Sequence, residues 1–220
     1  MKPQLPHIDP LPHPSLAEAL LAAQCDDVPV AGRAFSGQAL EGFSARRPEF
    51  AGCRFTDCTL AGGRMQGASF QDCEFIHCDL SNLSAGESFL RRVLMRDCKL
   101  VGADLSLSSL QHITLSGCEA RYLNLSQSRI RDACFTGCRL DESALSQAAL
   151  KGVVFDQCQL NRADFFETPL KGIDLSGCEI AGIQLSGKEL AGCMVSPLQA
   201  MALAQLLGLI VKEDWERAYV

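Results

Sequence analysis

The residues with the most chemical potential in this chain are its cysteines, twelve among 220 residues. Cys53 and Cys58 repeat as Cys73 and Cys78, and Cys58, Cys78, Cys98, Cys118, Cys138, Cys158 and Cys178 recur every twenty residues. Thiols so spaced could ligate zinc, pair as disulfides or serve as nucleophiles. Ten of the twelve, all but Cys25 and Cys134, sit two residues before the apolar centre of a unit, which reads as compact core filler. Disulfides between them are opposed by parallel Cβ vectors and by a reducing compartment. Tetrahedral zinc needs four sulfurs converging at about 2.3 Å, and the Leu and Phe residues between the cysteines keep them apart. No metal and no cofactor is expected.

The histidines offer little more. His7 and His13 lie in a proline-rich N-terminus, and His77 and His112 occupy outward positions without partners for a catalytic triad. Gly117, Gly137, Gly177 and Gly182 fall at corners of the pattern, where a turn asks for positive φ, and none follows a strand and opens a helix as a phosphate loop would. An enzyme is not expected.

What positions these residues is a repeat of five. Beginning at Phe35 and ending at Val195, 33 successive fifth positions are apolar, among them Leu40, Phe50, Phe55, Met65, Leu100, Ile130, Phe165 and Leu190. Five is the period of neither a flat strand nor a helix, so the chain must bend between one inward residue and the next. The twenty-residue cysteine interval, shared by Phe35, Phe55, Phe75, Phe135 and Phe155, makes four such units one coil. The expected fold is an all-β solenoid, a quadrilateral β-helix of about eight coils stacked at ~4.8 Å, its narrow interior filled by ladders of like side chains.

Stretches such as Ala103-Asp104-Leu105-Ser106, Ala163-Asp164-Phe165 and Ile173-Asp174-Leu175-Ser176-Gly177 resemble the pentapeptide-repeat family, with its consensus of small residue, Asp or Asn, Leu or Phe, polar residue and Gly. The resemblance implies a right-handed quadrilateral β-helix over residues 33–195.

The flanks read as caps. Residues 1–14 are expected to be a disordered or loosely docked arm. In residues 15–32, Ser15 and Glu18 form a capping-box signature before a short helix from Leu16 to Gln24. In residues 196–220, Ser196 and Pro197 announce a helix to about Leu207, closed by Gly208. That helix is apolar nearly all round, which asks for burial on two sides: one against the last coil, the other in a twofold dimer through Leu198, Met201, Ala202, Leu203, Leu206 and Leu207. The competing expectation covers it with the tail Lys212–Val220, carrying Trp215 and Tyr219.

Stacking converts outward positions into columns. Asp79, Lys99, Glu119 and Arg139 alternate in sign along one of them. One side gathers Asp57, Glu74, Asp97, Asp156 and Asp174, and another gathers Arg91, Arg92, Arg129, Arg131, Lys151 and Lys171. Either could be a solvated face or a partner surface. The solenoid is near neutral, with 17 basic and 19 acidic residues in 33–195, and the whole chain carries −6, so direct nucleic-acid binding is not expected. No apolar run is long enough to cross a membrane, and prolines interrupt the N-terminus where an export signal would be apolar, so a cytoplasmic protein is expected.

Gln199-Ala200, Leu203, Leu207-Gly208-Leu209 and Val211 resemble the C-terminal dimerisation segment of the Qnr quinolone-resistance proteins and related topoisomerase-protecting proteins. This implies a dimeric rod that engages DNA gyrase or topoisomerase IV partly by imitating duplex DNA, relieving quinolones or a peptide toxin. The alternative is an interaction scaffold for another cytoplasmic partner.

Overall fold

The computed structural model describes residues 2–13, 15–26, 28–206 and 208–211. They form a parallel β-solenoid of about seven turns with two short helices.

Each pentapeptide is built alike. The central apolar residue and the small residue two before it point inward, and the other three face out. The bend comes two residues after the centre, where φ is positive at Gly117, Gly137 and Gly182 and also at residues with side chains, including Leu107 (59°) and Tyr122 (59°). Gly177 does not adopt this conformation, unlike the expectation for it. Left-handed backbone costs a residue with a Cβ ~1–3 kcal/mol, which persists because hydrogen bonds to the coils on both sides fix it. At the Tyr122 corner, for example, Tyr122 N–H donates to Asp141 of the next coil (3.1 Å) and Asn124 N–H to Ala103 of the preceding one (2.9 Å).

Two of the four sides carry regular strands. One consists of β3 (Arg33–Ser36), β5 (Arg54–Thr56), the second half of β6 (Ser69–Ile76), of β7 (Phe89–Arg96) and of β8 (Ser109–Ser116), then β10 (Cys134–Thr136) and β12 (Val154–Asp156). The adjoining side consists of β2 (Val30–Ala31), β4 (Glu49–Ala51), the first halves of β6, β7 and β8, then β9 (Arg129–Arg131) and β11 (Ala149–Lys151). The other two sides are joined by single bridges, such as Thr59↔Asp79 and Ser84↔Asp104. Every register step is twenty residues, as the cysteine interval requires. Val30, buried and paired with Phe50, adds one unit before Phe35.

The interior holds ladders of like residues. Phe35, Phe55 and Phe75 stack at 5.4 and 4.6 Å between ring centroids, Phe50 and Phe70 at 5.1 Å, and Phe135 and Phe155 at 5.1 Å. The thiols run beside them, each reaching back to a carbonyl of the preceding coil: Cys58 to Phe35 (3.5 Å), Cys98 to Phe75 (3.5 Å), Cys158 to Phe135 (3.3 Å).

Of the two expectations for the N-terminal arm, disorder or loose docking, the described residues 2–13 fit the docked one. β1 (Leu11–Pro12) adds to the open edge of β3, with Leu11 N–H donating to Gly32 (3.0 Å) and His13 N–H to Ala34 (2.9 Å). Pro12, which has no N–H to offer, falls between these two donors, so its ring costs the ladder nothing. The His13 ring continues the Phe35 column at 5.7 Å. Helix α1 (Leu16–Asp26) then buries Leu16 and Leu20 over the first coil, and the Ser15 hydroxyl accepts from Glu18 N–H (3.1 Å).

Candidate functional site

Among the described residues the interior is filled by side chains. Along the axis between Leu60 and Leu105 lies a void of about 20 Å³, lined wholly by Leu, Phe, Ala and Met side chains. An apolar void of that size stays dry or holds at most one water. Nine cysteines are buried, Cys134 and Cys193 are half-buried, Cys25 is exposed, and all twelve are free thiols. The neighbouring Cys118 thiol, together with burial, pushes Cys138 up to about 12, and Cys158 with burial raises Cys178 as well. Thiols so held are neutral and unreactive near pH 7. Among the described residues no cluster of three or more His, Cys, Asp or Glu could hold a metal ion, and no helix is long and apolar enough to cross a membrane.

His77 sits outward between Asp57 (3.6 Å) and Asp97 (3.7 Å) of the coils on either side. His112, expected in solvent, is half-buried, and its Nδ1 is sealed without a partner.

The acidic side is less continuous than a count along the chain suggests. Glu74 is bonded to Arg54 of the coil below (2.6 Å), and Asp57 and Asp97 share His77. Asp156 and Asp174 lie farther along, beyond the uncharged rungs of Ser116 and Thr136. The structure thus gives two small acidic groups on one side. The alternating column does form: Lys99 meets Asp79 (4.0 Å), and Glu119 receives both Arg139 (2.9 Å) and Arg121 (2.8 Å).

On the adjoining side Arg92 makes a forked pair with Asp72, whose carboxyl it holds below the usual range. Arg91, Arg129, Arg131, Lys151 and Lys171 are exposed and have no ion-pair partner among the described residues. Arg131 and Lys151 stand directly opposite in the register, and Lys171 comes twenty residues on in a turn of the next coil, where the nearby Thr168 hydroxyl accepts from Ala148 N–H (2.9 Å).

The C-terminal end is the other distinctive surface. Helix α2 (Pro197–Leu206) starts with a reciprocal cap: Ser196 Oγ accepts from Gln199 N–H (3.3 Å), and Gln199 Oε1 accepts from Ser196 N–H (2.7 Å). Gln199 Nε2 then donates to Leu175 (2.9 Å) and Cys178 (2.7 Å), fastening the helix onto the last full coil. It ends with Gly208 at φ 74°. Leu203 faces the coil and is only 7% exposed, so this residue, assigned above to a dimer face, serves the cap instead. Leu198 (79%), Met201 (46%) and Leu206 (50%) point away, as does Ala202. Met194 (50%), Leu209 (59%) and Ile210 (90%) are also exposed near this end of the chain. Leu207 and the tail 212–220 lie outside the described residues.

Two features have no counterpart in the repeat. Gln199 as a tether was invisible because its partners are backbone carbonyls. Glu189 is buried where an outward residue was due, because the last coil closes with a 3-10 turn (Lys188–Leu190). Its carboxylate accepts from the Glu167 N–H (2.9 Å), the Ser186 N–H (3.0 Å) and the Ser186 hydroxyl (2.9 Å).

Residues 48–125 and 123–185 match the family model described as a pentapeptide repeat region. No curated protein matches the chain in sequence. Among solved structures, full-length QnrB1, a plasmid-mediated fluoroquinolone resistance protein, is similar at 20% identity and a TM-score of 0.46, over 80% of this chain and 100% of that one. HetL, involved in heterocyst differentiation regulation in the cyanobacterium Nostoc sp. strain PCC 7120, is similar at 15% identity and a TM-score of 0.44, over 83% of this chain and 98% of that one. A five-residue register repeated without slip, an interior filled by its ladders, and a family match spanning most of the coils together lead to one conclusion: the chain belongs to the pentapeptide-repeat family.

Proposed function

We propose that this protein is a non-enzymatic binding rod that works as a dimer through its C-terminal helix in the cytoplasm, and that it protects a type II topoisomerase in the manner of the Qnr proteins. The observation that carries the reading is the outer face of α2. Leu198, Met201 and Leu206 remain exposed after Leu203 has capped the last coil, an apolar area that a second copy would cover. The Qnr-like residues Gln199-Ala200, Leu203, Gly208-Leu209 and Val211 coincide with this end, which supports the topoisomerase as partner. With the interior filled, recognition is left to the outer sides, and the side bearing Asp57, Glu74, Asp97, Asp156 and Asp174 is the candidate contact for an enzyme surface that otherwise receives DNA. A gyrase supercoiling assay with ciprofloxacin tests this: micromolar protein should restore supercoiling, and unchanged inhibition and cleavage would remove the topoisomerase. A second reading, a scaffold for a different partner, is favoured by the cations that lack counter-ions on the adjoining side.

A further inference from the structure

Where an outward cation has a charged residue next to it in its column, that neighbour is elsewhere an anion: Arg54 has Glu74, Arg92 has Asp72, Lys99 has Asp79, Arg139 has Glu119 and Arg162 has Glu142. One column breaks the rule. Arg131 and Lys151 are register partners, so two like charges face each other at the ~4.8 Å spacing of adjacent strands, and Lys171, twenty residues on, continues the row from the turn of the next coil. Like charges directly opposite destabilise a sheet, so the fold gains nothing from this arrangement. Arg91 extends the same column beyond Gln111, and Arg129 lies beside it on β9.

We infer that the column of Arg91, Arg131, Lys151 and Lys171, with Arg129 at its flank, docks an extended acidic segment of a partner protein. The row is single-file along a rigid backbone, and from Arg91 to Lys171 it spans four coil steps, ~19 Å. An extended peptide with acidic side chains on alternate residues presents carboxylates every ~6.6 Å on one face and can lie along such a row. Duplex nucleic acid fits less well. The basic side is one pentapeptide wide, it contains Asp132, and the next side around the corner carries Asp156 and Asp174, which a second phosphate strand would meet. The net charge of −6 also repels a polyanion approaching from a distance, whereas a short acidic segment engages the column locally. This inference concerns a different side from the proposed topoisomerase contact and stands independently of it.

The test uses the full chain and a fluorescent peptide of roughly a dozen alternating Glu and Ser residues. A Gln and Ser counterpart and single- and double-stranded oligonucleotides of similar charge serve as rival probes, read by anisotropy at about 50 and about 200 mM salt. The Glu peptide should bind, weaken at the higher salt, and outcompete both oligonucleotides. Lys151→Glu with Lys171→Glu should reduce its affinity about tenfold or more. The same variant turns the repulsion between Arg131 and position 151 into attraction, so its thermal midpoint should hold or rise by roughly 1–4 °C, which separates lost binding from lost folding. Reversing two cations on other sides, Arg64→Glu with Arg96→Glu, should leave binding within about twofold. No binding of the Glu peptide at low salt, tighter binding of an oligonucleotide, or equal losses in the two charge-reversal variants would each overturn the inference.

Discussion

Replacing Phe55 by alanine removes one rung of the best-formed ladder, and its consequences can be worked out in some detail. Phe55 is fully buried, stacks on Phe35 (5.4 Å) and Phe75 (4.6 Å), and meets Phe50 edge-on (5.5 Å). A buried Phe→Ala change costs ~3–5 kcal/mol, and the three aromatic contacts bring the expected loss toward the upper end of that range. A closed globular core would spread such a loss over the whole domain. A solenoid does not, because each coil contacts only its neighbours and stability is a sum of local terms. The first coils should therefore open without the later ones. Amide exchange reads this directly. The Gly37 N–H donating to Thr56, the Asp57 N–H to Ile76 and the Glu74 N–H to Cys53 should exchange on the order of a thousandfold faster, which corresponds to ~4 kcal/mol. The Ala120 N–H donating to Arg139 and the Leu140 N–H to Gln159 should keep their protection. Equal acceleration at both ends, or a loss below about 1 kcal/mol at Phe55, would refute the ladder as the source of stability.

Other perturbations address the ends and the exterior. Leu198→Glu with Leu206→Glu should yield a folded monomer in sedimentation, whereas Leu203→Glu should lower the thermal midpoint by loosening the cap; an unchanged mass for the double variant would confine α2 to capping. Gln199→Ala removes two hydrogen bonds to the last coil and half of a reciprocal cap, a local loss of ~1–3 kcal/mol that should appear as faster proteolysis within residues 197–206. Because Cys138 is raised from 9.0 to about 12, its contribution to stability is complete below pH 9 and is lost as pH rises toward 12; denaturant midpoints should fall across that interval and stay level between pH 6 and 8. Asp97→Lys with Asp156→Lys should abolish gyrase protection while leaving the mass and thermal midpoint of the protein unchanged, and intact protection would reject the acidic side as the contact.

The coil was legible because it is written in side chains: an inward residue every fifth position forces the bend, the twenty-residue interval of the Cys and Phe columns sets four sides, and Val30 falls in the same phase. What rests on backbone was not. β1 docks through the amides of Leu11 and His13, which leave no mark in composition, so its proline-rich sequence could not be told between disorder and a docked arm. Leu203 could not be told from Leu198 because a helix apolar all round has no periodicity to orient it. The twenty-residue step already makes Glu74 the neighbour of Arg54 and Lys151 the neighbour of Arg131, as the structure has them. A sum of charges along the acidic side still hides that Ser116 and Thr136 interrupt the row.

The filling of the coil by side chains, which leaves only the outside and the tips to act, is directly measurable. Counting reactive thiols in the native protein tests it at small cost. With an aromatic disulfide reagent at pH 8, Cys25 should react at once, Cys134 and Cys193 slowly, and the nine buried thiols only after denaturant is added. Rapid titration of most of the twelve thiols in the folded protein would contradict it.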